Sequence, residues 1–152
     1  MERKIYYKEG YKYQLVKDYA VQTQVFGLQV DSAFITLYPT GILIIRKGYC
    51  WDGASGPTID TKNSMRGSLV HDALYQLLRE GKLVAHIEDP KEKHTEHERI
   101  RQIADDALAD ICKEDGMANV RAELWEFAVE NFAYNSSTAE GGREVLTAGI
   151  DI

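Results

Sequence analysis

Ser68-Leu69-Val70-His71-Asp72-Ala73-Leu74-Tyr75-Gln76-Leu77-Leu78 brings an apolar pair round every four residues: Leu69/Val70, Ala73/Leu74 and Leu77/Leu78. That spacing is the stripe of an amphipathic helix. Asn63 or Ser64 can cap its start and Gly81 can stop it. Inside the run stands the ionisable pair His71-Asp72, and both members cost free energy to bury unless each finds a partner. Upstream, Tyr49-Cys50-Trp51-Asp52-Gly53-Ala54-Ser55-Gly56-Pro57 carries two glycines and a proline, and reads as a loop that approaches something closely. The candidate site is a loop bearing Asp52 that faces a helix bearing His71 and Asp72.

On the N-terminal side of that loop the hydrophobic period is two. Tyr13-Gln14-Leu15-Val16, Tyr19 to Val25, Ala33 to Tyr38 and Ile42-Leu43-Ile44-Ile45 are short runs separated by turn residues, the pattern of an antiparallel meander. Tyr38-Pro39-Thr40-Gly41 joins the last two as a hairpin, with proline where a type I or II turn takes it. Most of the nine tyrosines lie in this half, where they suit a half-solvated sheet. After Pro57 the period becomes helical. A second helix carries Ile100, Ile103, Ala104, Ala107, Leu108 and Ile111 and ends near Gly116; a third runs from about Asn119 to Tyr134. Between the first two, the charged stretch Glu88 to Glu98 reads as a solvated loop or helix start. The expected fold class is α+β, an N-terminal antiparallel sheet of about four strands followed by about three helices. Residues 1–134 are expected to form one domain and 135–152 a flexible C-terminal tail with a partner-binding tip.

Composition narrows the function classes. With 152 residues and 44% hydrophobic content the chain can bury a core without staples. A formal charge of -6, with basic residues scattered among acids, argues against nucleic acid as a partner. Cys50 and Cys112 are too few and too far apart for a disulfide framework or a zinc ribbon and read as reduced thiols. Met1-Glu2-Arg3-Lys4-Ile5 has no apolar leader-like run, and no stretch approaches the roughly 18 apolar residues of a membrane span. The product is therefore expected to be non-transmembrane and to stay in the cytoplasm of its host cell, unless it leaves as part of an assembly.

The chemistry-bearing residues gather on two helices. His71 and Tyr75 are four apart and Asp72 and Tyr75 three apart, so all three project from adjoining stripes of the first helix. On the second helix Asp105 and Asp106 flank the apolar stripe on opposite sides, and periodicity leaves open which of them faces His71. Arg101 stands one turn before Asp105, within reach of an i,i+4 pair. Other motifs are weaker. No histidine precedes His71, which an HD-type metal phosphohydrolase requires. His94, His97 and Glu98 have metal-like spacing but not the His-Glu-x-x-His order, and Ser55 lacks the Gly-x-Ser-x-Gly elbow of a serine hydrolase.

The ordered set Asp52-Gly53-Ala54-Ser55, Pro57, His71-Asp72-Ala73-Leu74-Tyr75, Ala104-Asp105, Leu108 and Trp125-Glu126-Phe127-Ala128-Val129 resembles a small family of uncharacterised phage and prophage proteins, over roughly residues 45–134. Its core motif is in turn similar to the histidine-aspartate helix of secreted calcium-dependent phospholipases, especially the short bacterial ones. That resemblance implies that Asp52 and Asp72 bind calcium, His71 activates water, Asp105 rather than Asp106 orients His71, and Tyr75 completes the cluster. It also implies a phospholipase-like helical part. This chain departs from that pattern in having no paired cysteines, a long polar segment between His71 and Asp105, and an added N-terminal sheet.

As chemistry the constellation suits hydrolysis. A neutral imidazole can take a proton from water while a carboxylate on its other nitrogen fixes the tautomer and stabilises the imidazolium. Calcium would take Asp52, Asp72 and a loop carbonyl such as that of Gly53, and polarise an ester carbonyl. One expected function is thus a phage or prophage protein that hydrolyses a lipid or other ester. The other is a non-enzymatic virion or tail component, or a protein that binds a host factor through its C-terminal tail, in which the same residues form a buried polar network.

Overall fold

A computed structural model describes residues 3–9, 13–53, 62–117 and 144–149 of the chain. In order the elements are β1 (Lys4–Glu9), β2 (Tyr13–Leu15), β3 (Tyr19–Gln22), β4 (Val30–Asp31), β5 (Ile35–Leu37), β6 (Ile42–Ile45), β7 (Cys50–Trp51), α1 (Lys62–Arg79), α2 (Pro90–Glu114) and β8 (Glu144–Gly149). The class is α+β, but the strands divide between two antiparallel four-stranded sheets, β7-β2-β1-β8 and β3-β6-β5-β4, where sequence suggested one. The chain changes sheet between Leu15 and Tyr19. There the end of β2 is held to the turn before β7 by Leu15 N–H to the Tyr49 carbonyl (2.8 Å) and Gly48 N–H to the Leu15 carbonyl (2.7 Å). Across the corner, the Asp18 carboxylate accepts from the Lys47 N–H at 2.8 Å. With β2 so engaged, β3 takes β6 as its partner instead.

The expected hairpin is present: β5 pairs with β6, and Gly41 N–H donates to the Tyr38 carbonyl at 2.9 Å. Gly41 has φ +88° while no described non-glycine residue has a positive φ, so Thr40 excludes a type II turn. The tail expectation is corrected for residues 144–149. They form β8, paired with β1 from Lys4↔Gly149 to Glu9↔Glu144, and Ala148 is buried. Two helices are found among the described residues; the third expected helix, about 119–134, lies outside them.

Both helix ends follow from capping chemistry. At α1, Gly81 (φ +72°) donates to the Leu78 carbonyl and Lys82 to that of Leu77, the paired bonds of a Schellman motif. Gly116 and Met117 repeat the arrangement at the end of α2. The charged stretch 88–98 proves to be mainly helix start: Asp89 caps α2 by accepting from the Glu92 N–H at 2.9 Å, and Pro90 occupies the first turn. Arg66 and Gly67 of α1 meet residues 108–115 of α2, whereas His71 meets Asp105, so the two helices run antiparallel.

Helix α1 is buried from Ser64 to Tyr75 and again at Leu77 and Leu78, which makes it the central element. Its polar residues are therefore met inside the protein. Trp51 of β7, packed with Tyr7 and Tyr13 at ring separations of 5.6–5.8 Å, donates its indole N–H to the Ser68 hydroxyl at 3.1 Å. Buried Arg66 donates to both oxygens of Asp115 (2.8–3.2 Å), to Glu114 (2.6 Å) and to the Tyr19 hydroxyl (2.8 Å). Burial by itself would weaken its charge, but these hydrogen bonds raise its pKa and keep the guanidinium ionised. One arginine thus ties α1, the end of α2 and the second sheet together.

Two stability predictions follow from these contacts. A β-carbon on Gly67 would stand 2.9 Å from the Cys112 Sγ and 3.0 Å from the Leu108 carbonyl oxygen of α2. Gly67→Ala should therefore destabilise by roughly 1–3 kcal/mol in urea unfolding, despite a helix-propensity gain of about 1 kcal/mol; equal or higher stability would contradict close helix contact at this point. Asp115→Ala strands a buried guanidinium and should cost roughly 3–5 kcal/mol, whereas Glu114→Gln, at a half-exposed side chain, should cost under about 1 kcal/mol. Similar losses for the two variants would show that Asp115 is not the principal partner.

Candidate functional site

The helical spacing of His71 and Tyr75 places their rings one turn apart on α1, and they stack with centroids 4.0 Å apart at 33°. Asp105 of α2 reaches this pair. Its Oδ1 lies 2.8 Å from the His71 Nε2 and also accepts from the Tyr75 hydroxyl at 2.7 Å. The choice that periodicity left open is settled geometrically: Asp105 is 0% exposed and faces His71, while Asp106 is exposed and accepts from the Gln102 amide at 2.9 Å. Arg101 takes no part in holding Asp105, pairing instead with Glu98 at 3.6 Å.

The proton on His71 can be assigned from its neighbours. An ionised carboxylate only accepts, so the nitrogen facing Asp105 carries hydrogen and the neutral ring presents its lone pair at Nδ1. On that side stands Asp72, whose Oδ1 is 3.5 Å from Nδ1, at the outer limit of a hydrogen bond. His71 is only 2% exposed. Burial by itself would lower its pKa, but the hydrogen bonds and charges of Asp105 and Asp72 outweigh that and raise it above the usual 6.5. The surroundings therefore favour imidazolium. Tyr49 lies in the same field: burial, and then the charge of Asp72, hold its phenol well above the usual value and keep it protonated.

His71, Asp72, Tyr75 and Asp105 thus come together as expected. Asp52 and Gly53 follow β7 directly, Asp52 half-buried and Gly53 buried with φ +82°. The remainder of the expected loop, from Ala54 to Pro57, lies outside the described residues. Among the described residues no group of three or more His, Cys, Asp or Glu side chains could hold a metal ion, so Asp52 and Asp72 are not joined there by a third such ligand. The same holds for His94 and His97. No helix among the described residues is long and apolar enough to cross a membrane.

The Arg66 cluster is the polar feature that sequence reading missed. Its signal was present: Arg66 precedes Leu69 by three residues and Val70 by four, and so stands on the apolar stripe of α1, where a charge needs a buried partner. Asp115 could not be singled out as that partner from its position at the end of α2.

The chain was compared with protein-family models, curated proteins and solved structures, and none of them matches it.

The raised pKa of His71 sets a direction for stability against pH. The folded protein holds this proton more tightly than the unfolded chain, so the contribution is complete below the unfolded value near 6.5 and is lost as pH rises through the higher folded value. As pH rises from about 6 through the raised folded value, wild type should lose stability relative to His71→Gln in denaturant titrations. Parallel profiles for the two proteins would show that His71 is not held as imidazolium by Asp105 and Asp72.

Proposed function

We propose that His71, Asp105 and Tyr75 form a hydrolase-like centre, in a protein of phage or prophage type, that acts on a lipid or other ester with calcium assistance. The observation that carries this reading is the 2.8 Å approach of His71 Nε2 to Asp105 Oδ1, an oxygen that also accepts from Tyr75. A base needs one ring nitrogen committed to a carboxylate so that the other can take a proton from water, and here Nδ1 is the loosely engaged one. Asp105 would stabilise the imidazolium formed, and Tyr75 positions Asp105 by its hydroxyl while its ring fixes that of His71. The raised pKa implies that the base is free only at pH values above it, so hydrolysis would speed up as pH rises through that value. In this reading Asp72, Asp52 and the Gly53 carbonyl are the oxygens that would hold calcium, which when bound supplies polarisation of the ester carbonyl. Two carboxylates are few for an ion that takes six to eight oxygens, so binding would be weak.

The near-complete burial of His71 and Asp105 favours a second reading. In it the same residues are a polar network joining α1 to α2, and the protein is a virion or tail component, or one that engages a host factor.

Wild type, His71→Gln and Asp72→Asn separate the two when assayed for hydrolysis of short-chain phospholipids and simple esters, and for melting in millimolar calcium. The catalytic reading expects His71→Gln, folded at the assay temperature, to lose about a hundredfold or more in rate. Asp72→Asn should abolish a calcium-dependent rise in melting temperature. A wild type that neither cleaves any of these substrates nor melts higher in calcium belongs to the second reading.

A further inference from the structure

Beyond the His71–Asp105 pair, α1 and α2 border a cavity of about 330 Å³, lined by Tyr75, Leu78 and Arg79 of one helix and His97, Glu98 and Arg101 of the other. Its volume is at the lower end of the range for small-ligand sites. The lining combines an aromatic ring and a leucine with two guanidiniums and one carboxylate, in a chain whose formal net charge is -6. Glu98 is shared between Arg101 (3.6 Å) and His97 (3.7 Å), both too long for hydrogen bonds, and all three side chains are partly exposed. A carboxylate held this loosely is a resident counter-ion that a better-fitting anion can displace.

We propose that this cleft binds a small phosphate monoester, with Arg79 and Arg101 taking the phosphate and Leu78 and Tyr75 taking the apolar part of the alcohol. Guanidinium forks arriving from two helices suit a group with three terminal oxygens better than a carboxylate, which fills one fork. His97 supplies a further donor when protonated. His71 is not among the lining residues, and Tyr75, which borders the cleft, is bonded to Asp105. The cleft therefore adjoins the His71–Asp105 pair through Tyr75 without including the base, and binding here does not require hydrolysis.

Isothermal titration with hexyl phosphate, inorganic phosphate and hexanol tests the assignment. Hexyl phosphate should bind saturably and more tightly than inorganic phosphate, and hexanol should give no saturable heat. Arg101→Gln should weaken hexyl phosphate by about tenfold or more. Glu98→Gln, which removes the competing carboxylate, should tighten it, a change of opposite sign that general damage to the fold would not produce. A wild type that proves to have no hydrolytic activity can still pass this test. The proposal is overturned if wild type shows no saturable binding, if neither Arg101→Gln nor Glu98→Gln changes the affinity, or if inorganic phosphate binds as tightly as hexyl phosphate.

Discussion

Helix α1 is buried over most of its length and yet carries Arg66, Ser68, His71 and Asp72, and the rest of the structure is arranged round that conflict. A buried polar group without a partner costs on the order of a few kcal/mol, and an unpaired charge costs more. Each of these residues therefore dictates what must lie opposite it. Arg66 requires the end of α2 and Tyr19, Ser68 receives Trp51 from the first sheet, and His71 requires Asp105. Apolar packing alone would let α1 slide or rotate against its neighbours with modest loss. Three directional attachments along one helix fix its register against both sheets and α2 together.

The same arrangement explains why the candidate site is exact in geometry and scarcely open to water. Gly67 admits α2 so closely that a single added carbon would touch its backbone, and this approach brings Asp105 to His71 one turn further on. Asp105 satisfies two donors through one oxygen, while its other oxygen, Oδ2, is buried with no hydrogen-bond partner among the described residues. The hydrogen bond and charge of this carboxylate contribute to the preference of His71 for imidazolium.

What the sequence discloses depends on how local the determining contact is. The hairpin at Tyr38 to Gly41, the α1 repeat with its stop at Gly81, and the grouping of His71, Asp72 and Tyr75 all follow from residues a few positions apart. Asp105 could be narrowed to two neighbours by periodicity, but only the crossing of α1 and α2 decided against Asp106. The split into two sheets was not legible, because the pairing of β3 with β6 in place of β2 is set by a corner at Asp18 and by a turn some thirty positions later in the chain. Nor was β1, whose Lys4-Ile5-Tyr6-Tyr7-Lys8-Glu9 alternates correctly but is diluted by charge. Its long partner β8 comes from the far end of the sequence, where composition suggests only a tail.

That last pairing has a consequence for how the protein is made. Strand β1 leaves the ribosome well before β8, and at ordinary rates of synthesis the interval between them is roughly ten to thirty seconds. Through that time β1 can pair with β2 on one side only, and its other edge remains open to any extended segment nearby. The charge in Lys4-Ile5-Tyr6-Tyr7-Lys8-Glu9 discourages such capture, since charged residues in a strand oppose intermolecular edge pairing. The charges that hide β1 from a reader of the sequence thus also act as gatekeepers, guarding a nascent chain until its own closing strand arrives.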